Sequence, residues 1–246
     1  MTGGADRENG GENGRPLDRR RLLANLEIFS SLDERSLDAL VRATSTRRLR
    51  AGEVLFRKGE AGRQLYGVLS GRVKAVAAGV DGKEIVFNVC DPGEVIGEIA
   101  LLDSNPRSAT IVAIEMSELL VLDRRDFFPF LEKHPRVAIE LAVLLAARLR
   151  RLSESAEDAV LLALRARLAK KLVSLAQRYG KKTPEGVLID LPLSQQELGE
   201  MVGVSRESCN KQLRVWTEQG LITSSKGWIT LCDVSGLEAL ARLAID

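Results

Sequence analysis

The segment GEIALLDSNPRSAT, residues 97–110, is the most informative stretch in the first half of this chain. A turn that starts at a glycine and continues through small residues lets backbone N–H groups approach an anion closely. Arg107 can fork onto two oxygens of that anion, and Ser108 can add a hydroxyl donor. Glu98 only accepts hydrogen bonds, so it suits a sugar hydroxyl, and we expect its charge to pair with Arg107 across the pocket. Read alone, however, this acid and this arginine indicate no more than a surface salt bridge.

The sequence around this segment, residues 22–131, consists of short apolar runs separated by glycines. Runs such as 54–56, 65–69 and 84–89 have the length and alternation of strands, and together they predict a small antiparallel β-barrel or roll. A short helix over residues 31–43 precedes the roll, with Ser31 or Asp33 as its cap. The turns are marked by Gly52, Gly59, Gly62, Gly67, Gly71, Gly82, Gly93 and Gly97.

A long helical region follows Pro135, because no glycine or proline occurs again before Gly180. We expect one break in it. Small and apolar residues recur in its first half at alternating spacings of four and three, which is the pattern of a coiled-coil seam and predicts a homodimer. The alternative is a single helix that packs on its own domain. The seam residues are Ala138, Ala142, Leu145, Leu149, Leu152, Ala156 and Ala159.

The last part of the chain, from residue 164, predicts the order helix, hairpin, helix, turn, helix, hairpin, helix. Ser194 and Glu197 form a capping box at the start of one helix, Gly203 supplies a tight turn, and Ser205 caps the next helix. The second helix of this pair directs Cys209, Leu213 and Trp216 into a core. Its outward face carries groups that suit base edges and phosphates, although a charged helix face is often only solvated. These residues are Arg206, Glu207, Asn210, Lys211 and Arg214.

Composition sets wider limits on the chain, whose 246 residues favour two domains. The net charge of +2 neither demands nor forbids a nucleic-acid partner. The first residues are rich in glycine and charge, so they predict a disordered tail and no signal peptide, and without a long apolar run we expect a cytoplasmic protein with no membrane contact. Cys90, Cys209, Cys232 and the single His134 are too scattered for a disulfide framework or a common metal site.

Both motifs together resemble the CRP/FNR superfamily, in its cyclic-nucleotide-responsive branch of catabolite activator or cyclic AMP receptor proteins, and the resemblance covers about residues 22–240. It implies an α+β fold with an N-terminal cyclic-nucleotide-binding β-roll, a long dimerisation helix and a C-terminal winged helix-turn-helix. The expected segments are a tail at 1–17, the β-roll domain at 18–133, a dimerisation helix and hinge at 134–162, and the DNA-binding domain at 163–246.

For the ligand, the resemblance implies that Gly97, Glu98, Ile99 and Ala100 line the ribose and phosphate. It places Glu98 on the ribose 2′-hydroxyl, and it places Arg107 and Ser108, with Ala109 beside them, at the cyclic phosphate. Two adjacent hydroxyl residues on the long helix meet the base in catabolite activators. Leu152 and Ser153 stand at those positions, so one hydroxyl is missing, and either cAMP or cGMP remains open as the ligand.

Two further residues are candidates with an open alternative. Arg148 lies one turn before Leu152, and the resemblance implies that it can reach towards Glu98 or the phosphate; the alternative is a solvated face with Arg150 and Arg151. Asn88 lies on the strand face opposite Ile85, Phe87 and Val89. It is a candidate contact for the base or ribose, or a plain surface position.

For DNA, the resemblance implies base contacts from Arg206, Glu207 and Lys211 to a half-site that begins TGT. The wing at 220–231 would meet phosphates through Ser224, Ser225 and Lys226. A homodimer would then read a palindrome with half-sites about one helical turn apart. The hairpin at 183–187 is a candidate contact for RNA polymerase.

Three other classes compete with this interpretation. A cyclic-nucleotide-binding regulatory subunit of an enzyme would use the same pocket without the DNA-facing residues. A regulator of this family that is active without a cyclic nucleotide would tolerate loss of Arg107. An enzyme is disfavoured, because the sequence offers no nucleophile and base pair, metal cluster or Walker loop. We also expect no metal, haem or iron–sulfur cluster.

Overall fold

The computed structural model describes residues 16–79 and 84–242. The first helix, α1, covers Pro16–Ala24, so the predicted tail at 1–17 overlaps it by two residues, and the rest of that tail lies outside the described residues. Within the described ranges, no helix combines the length and the apolar character that a membrane crossing requires.

The N-terminal part is a roll of two four-stranded antiparallel sheets, as predicted. One sheet has the strand order β1-β8-β3-β6 and the other β2-β7-β4-β5. A 3₁₀ turn at Glu27–Phe29 and helix α2 at Glu34–Ala43, capped by Asp33, precede the strands. The strands and the helix between them are β1 Thr44–Leu49, β2 Val54–Phe56, β3 Gln64–Ser70, β4 Val73–Ala78, β5 Glu84–Cys90, β6 Val95–Ile96, α3 Glu98–Asp103, β7 Thr110–Ala113 and β8 Ser117–Asp123.

Of the glycines predicted to mark turns, Gly67 instead lies within β3, where a Cβ would collide with Leu26, and Gly82 lies outside the described residues; the others lie between elements. Gly71, between β3 and β4, has φ +72°, and a Cβ there would lie 2.3 Å from the carbonyl oxygen of Met116. Only glycine fits this turn without displacing backbone. The tight turn brings β3 and β4 into different sheets, whose inner faces enclose an apolar core that includes Phe56, Tyr66 and Leu119.

The helical region is broken once, as expected. Helix α4 covers Arg124–Lys133, α5 covers Pro135–Leu161, and α6 starts at Leu164 and ends at Tyr179. The first turns of α5 bury Val137, Leu141 and Leu144 against the roll. Most of the predicted seam faces away from the protomer, and Leu149 is 66% exposed. Leu145 packs against the core of the roll, and the remaining exposed apolar stripe supports the coiled-coil interpretation.

The C-terminal part has the predicted order of elements around one core, with Trp216 fully buried at its centre. Its four strands form one antiparallel sheet in the order β11-β12-β10-β9. The elements are β9 Gly180–Thr183, β10 Gly186–Ile189, α7 Gln195–Val202, α8 Arg206–Glu218, β11 Ile222–Ser225, β12 Trp228–Leu231 and α9 Val234–Ala241.

The two parts of the chain contact each other where β4 and β5 meet α6 and α7. Tyr179 donates a hydrogen bond from its hydroxyl to Asp91 Oδ2 at 2.8 Å, and Lys74 Nζ lies 3.0 Å from Glu197 Oε1. Met201 of α7 packs against an apolar cluster of the roll. Polar and apolar contacts therefore join the helix-turn-helix to the roll within one protomer.

Candidate functional site

Arg107 is the buried centre of the 97–110 segment, with only 4% of its surface exposed. Its Nη1 donates to the carbonyl oxygen of Gly97 and its Nη2 to that of Gln64, each at 2.9 Å. The guanidinium carbon lies 4.1 Å from the ring centroid of Phe56 and 5.6 Å from that of Tyr66. Burial lowers the pKa of Arg107, and the neighbouring Tyr66 and Glu98 partly offset that effect. The group nevertheless stays cationic, because a guanidinium is not deprotonated in proteins.

The Nε atom of Arg107 is buried and has no hydrogen-bond partner among the described residues, and the same is true of Arg148 Nε. Leaving a donor of a charged group unsatisfied in the interior costs free energy, so each such donor in a native structure needs an explanation. An anion next to Arg107 would provide the missing acceptor. The residues present therefore fit an anionic ligand.

Glu98 pairs with Arg148 and not with Arg107, so the expected pairing across the pocket is wrong. The carboxylate is 3% exposed, and its Oε1 lies 2.5 Å from Arg148 Nη1. The physical reason is that α5 passes the start of α3 and brings Arg148 to Glu98, while the guanidinium of Arg107 is oriented towards the backbone carbonyls of Gly97 and Gln64. Of the two interpretations of Arg148, the structure favours the one in which it reaches Glu98.

Arg148 also donates through Nη2 to the carbonyl oxygen of Val95 at 2.6 Å. Burial acts to lower the pKa of Arg148, but the negative charge and hydrogen bond of Glu98 help to outweigh it, so the pKa of this group is raised. The ion pair thus fixes the long helix to the first residue of α3.

The other residues of the segment differ in exposure. Gly97 has φ +83°, and a Cβ there would lie 2.5 Å from Arg107 Nη1, so this turn depends on glycine as predicted. Ala100 is buried beside Arg107, whereas Ile99 and Ser108 are exposed and Ala109 is half-buried. The small and exposed residues leave the approach to this segment open to solvent.

The candidates for contact with a base lie in different places. Leu152 and Ser153 are exposed on α5, one turn beyond Arg148. Asn88 donates to Cys90 Sγ at 3.5 Å and lines a small cavity between β5 and α6, together with Lys171 and Arg178. The structure therefore places Asn88 at the junction between the two parts of the chain.

The helix-turn-helix has the predicted caps. Ser194 and Glu197 form the capping box of α7, Gly203 ends it with φ +72°, and the Ser205 hydroxyl accepts from the backbone N–H of Ser208 at the start of α8. Cys209, with Leu213 and Trp216, is buried as expected. The outward residues are all exposed, namely Arg206, Glu207, Asn210, Lys211 and Arg214, the last of which pairs with Glu218 at 3.0 Å.

A cleft of about 540 Å³ separates the start of α7, the start of α8 and the β11–β12 hairpin. Arg206 and Lys226 both line it, together with Ser194 and Ser224. Two cations and two hydroxyls on convergent elements are donors of the kind that contact a nucleic-acid backbone. The predicted wing forms a β-hairpin in the structure, and it lies beside the start of α8.

Several neighbours of Arg107 were not identified from the sequence. Phe56, Gln64 and Tyr66 are about 40 to 50 positions upstream, on β2 and β3, and nothing in their local pattern distinguishes them from core residues. The contact between Lys74 and Glu197 was missed for the same reason, because it joins residues 123 positions apart.

Comparisons with known proteins agree with this architecture. The cyclic nucleotide-binding domain family matches residues 46–134, and the Crp-like helix-turn-helix domain family matches residues 166–240. The cyclic AMP receptor protein of Thermus thermophilus is 31% identical over 87% of this chain and 96% of its own length. The CRP-like cAMP-activated global transcriptional regulator of Mycobacterium tuberculosis is 29% identical over 90% of this chain and 99% of its own length.

Among solved structures, the c-di-GMP-responsive global regulator CLP of Xanthomonas campestris superposes with a TM-score of 0.74 at 25% identity. That match covers 81% of this chain and 99% of the other. The buried arginine segment, the helix-turn-helix and these relatives lead to one conclusion: the chain belongs to the CRP/FNR family of transcription regulators.

Proposed function

We propose that this protein is a cyclic-nucleotide-dependent transcription factor in which ligand binding switches a homodimer into a form that binds palindromic promoter DNA. The observation that carries the proposal is the buried Arg107, whose Nε has no acceptor among the described residues. A cyclic phosphate would supply that acceptor, with Ser108 as a second donor. Glu98, held by Arg148, would accept from a ribose hydroxyl.

We infer that cAMP or cGMP is the ligand. The names of the Thermus and Mycobacterium relatives favour cAMP. Because the exposed Leu152 stands where a hydroxyl residue is expected, Ser153 is the remaining hydroxyl that could distinguish adenine from guanine. A cyclic dinucleotide is a second candidate, because the structurally similar CLP responds to c-di-GMP. No metal, haem or iron–sulfur cluster is part of the proposal.

We further propose that α5 forms the dimer through its exposed apolar stripe, so that the positions of Leu152 and Ser153 meet the base of each ligand, one from each protomer. Residues 18–133 would bind the ligand, 134–162 would dimerise, and 163–246 would bind DNA. The ligand would act as a bridge, because Glu98 of the roll is already joined to Arg148 of α5. A change at the pocket then shifts the position of α5 and of the DNA-binding domain beyond it.

For DNA recognition, we propose that Arg206, Glu207 and Lys211 read base edges of TGT-type half-sites, with Asn210 and Arg214 beside them. Ser194, Ser205 and Lys226 would contact phosphates around the cleft. The tip of the β9–β10 hairpin, Pro184 and Glu185, is exposed and offers a surface to RNA polymerase. Such a regulator would work in the cytoplasm and would not be an enzyme.

Isothermal titration calorimetry with cAMP, cGMP and c-di-GMP tests the ligand. We expect saturable binding of a cyclic mononucleotide by the wild type and at least a tenfold weaker affinity for Arg107→Ala, because a hydrogen bond to a charged group is worth about 1.5–3 kcal/mol. Arg42→Ala, at an exposed arginine of α2, is the matched control and should bind like the wild type. Absence of binding by all three nucleotides would contradict the proposal.

A further inference from the structure

We propose that Phe56, Tyr66 and Gly62 are positioning residues that hold Arg107 ready for the ligand. Together with Gln64 and Gly97 they form what we call the arginine seat. The inference rests on the proposed function, since it concerns the same pocket. It assigns a role to residues outside the 97–110 segment.

The aromatic side of the seat is formed by the rings of Phe56 and Tyr66. Their centroids lie 4.1 and 5.6 Å from the guanidinium carbon of Arg107, within the range of cation–π attraction. The two centroids are 5.7 Å apart, and the Tyr66 hydroxyl donates to Gln64 Oε1 at 2.7 Å. Both rings are buried. The two rings therefore stabilise the guanidinium cation of Arg107 inside the roll, where it has little contact with water.

Gly62 forms another part of the seat, next to Arg107 Nε. A Cβ at this position would lie 2.6 Å from Arg107 Nε and 2.8 Å from Ala100 Cβ. The φ of Gly62 lies outside the positive range, so the backbone itself would accept alanine. The obstacles to a side chain are thus Arg107 and Ala100, and a methyl group at Gly62 must displace one or both of them, including the Arg107 Nε that has no partner among the described residues.

The seat also limits how Arg107 can donate. Nη1 and Nη2 each donate to one carbonyl oxygen, that of Gly97 and that of Gln64, so two of the five N–H donors are engaged, and Nε–H and one N–H of each Nη remain for an anion. A guanidinium held by two carbonyls and two rings loses little further freedom when the ligand arrives. The seat should therefore increase affinity by preorganisation.

The first test does not depend on nucleotide binding. In full-length protein with ¹⁵N-labelled arginine, the Nε–Hε resonance of Arg107, assigned by its loss in Arg107→Lys, should be displaced by the ring currents of Phe56 and Tyr66. Phe56→Leu should move this resonance towards that of a free arginine, and Phe56→Tyr should preserve it. Phe128→Leu removes a ring 4.6 Å from the guanidinium of another arginine, Arg124, and should leave the Arg107 resonance unchanged.

The second test measures affinity for cAMP and cGMP in the same variants, after circular dichroism and thermal unfolding have shown that each is folded. Phe56→Leu should weaken binding about 2- to 30-fold, the range that corresponds to a cation–π contribution of about 0.5–2 kcal/mol. Gly62→Ala should also weaken nucleotide binding. Phe56→Tyr keeps an aromatic ring and should bind like the wild type. In an Arg107→Lys background, Phe56→Leu should cause a smaller loss.

The outcomes separate the two proposals. If the wild type binds no cyclic nucleotide, the proposed function fails, while the ring-current shift still decides whether the seat holds Arg107. If the wild type binds but Phe56→Leu and Gly62→Ala bind equally well, the inference is overturned and the proposed function stands. An Arg107 resonance that is insensitive to Phe56→Leu would also overturn it.

Discussion

Lys74 Nζ lies 3.0 Å from Glu197 Oε1, a contact that joins strand β4 of the roll to the first turn of helix α7. The same carboxylate closes the capping box, since Glu197 Oε2 accepts from the backbone N–H of Ser194 at 3.0 Å. Only 15% of the Lys74 side chain and 26% of the Glu197 side chain are exposed. One residue thus stabilises the start of the helix-turn-helix and also fixes its position on the roll.

Lys74→Met should weaken the attachment of the DNA-binding domain to the roll without disturbing the fold of either part, while the Tyr179–Asp91 contact and the packing of Met201 remain. The change removes the cation but leaves the capping box of Ser194 and Glu197 intact. We expect a broader distribution of distances between fluorophores placed on the roll and on α9, measured by single-molecule energy transfer. Lys182→Met, at an exposed lysine of β9, is the control and should match the wild type. An unchanged distribution in Lys74→Met would show that this contact does not hold the domain.

The same contact should be lost in acid. Burial acts to raise the pKa of Glu197, but the Ser194 hydrogen bonds and Lys74 outweigh it and hold the pKa below its usual value of 4.5. Because the pKa is depressed in the folded state, the stabilisation is present above about pH 4.5 and disappears as the pH falls through the lowered value. Energy transfer followed from pH 6 downwards should show this step, and Glu197→Gln should lack it. A step above pH 5, or one that persists in Glu197→Gln, would assign the transition to another group.

Arg148→Met should destabilise the protein by about 3–5 kcal/mol, because it leaves the buried Glu98 without its cation. Urea denaturation of the ligand-free protein measures the loss. The double variant Glu98→Gln, Arg148→Met should recover part of it, since a neutral amide is easier to bury than an unpaired carboxylate. A loss below about 1 kcal/mol in Arg148→Met would mean that water or another residue replaces the guanidinium.

Lys226→Asn should weaken DNA binding without destabilising the wing. Lys226 has φ +50° in the turn between β11 and β12, and asparagine tolerates this left-handed conformation better than lysine does. Thermal unfolding should therefore occur at the same or a higher temperature. Fluorescence anisotropy should show a similar loss of affinity for every DNA sequence and a salt dependence that is smaller by about one unit in slope. A loss confined to one sequence would indicate that Lys226 reads a base.

Local features were the ones that the sequence predicted well. The capping box at Ser194, the cap at Ser205 and the glycine turn at Gly97 each depend on a few neighbouring residues, and each is present as expected. The pairing of Glu98 with Arg107 was predicted wrongly, because the real partner, Arg148, comes from a helix 50 positions further along the chain. The resemblance had indicated Arg148 as a candidate that reaches towards Glu98, with a solvated helix face as the alternative, and the structure shows the contact with Glu98.

The same reasoning explains why the arginine seat and the interdomain contact were missed. Phe56 and Tyr66 look like ordinary strand residues until the two sheets close and place their rings beside Arg107. Lys74 and Glu197 look like surface charges until α7 packs against β5, the neighbour of β4, and brings Glu197 to Lys74. Packing between distant segments decided both arrangements.

The measurement that tests the central claim most directly is the affinity for DNA as a function of cyclic nucleotide. DNA selected from a random pool by the wild-type protein with nucleotide present would be titrated in fluorescence anisotropy, with and without cAMP or cGMP. We predict that at least one nucleotide tightens binding by the wild type and has no effect on Arg107→Ala, whereas Arg42→Ala responds like the wild type. Equal affinity with and without nucleotide, in both the wild type and Arg107→Ala, would contradict the account.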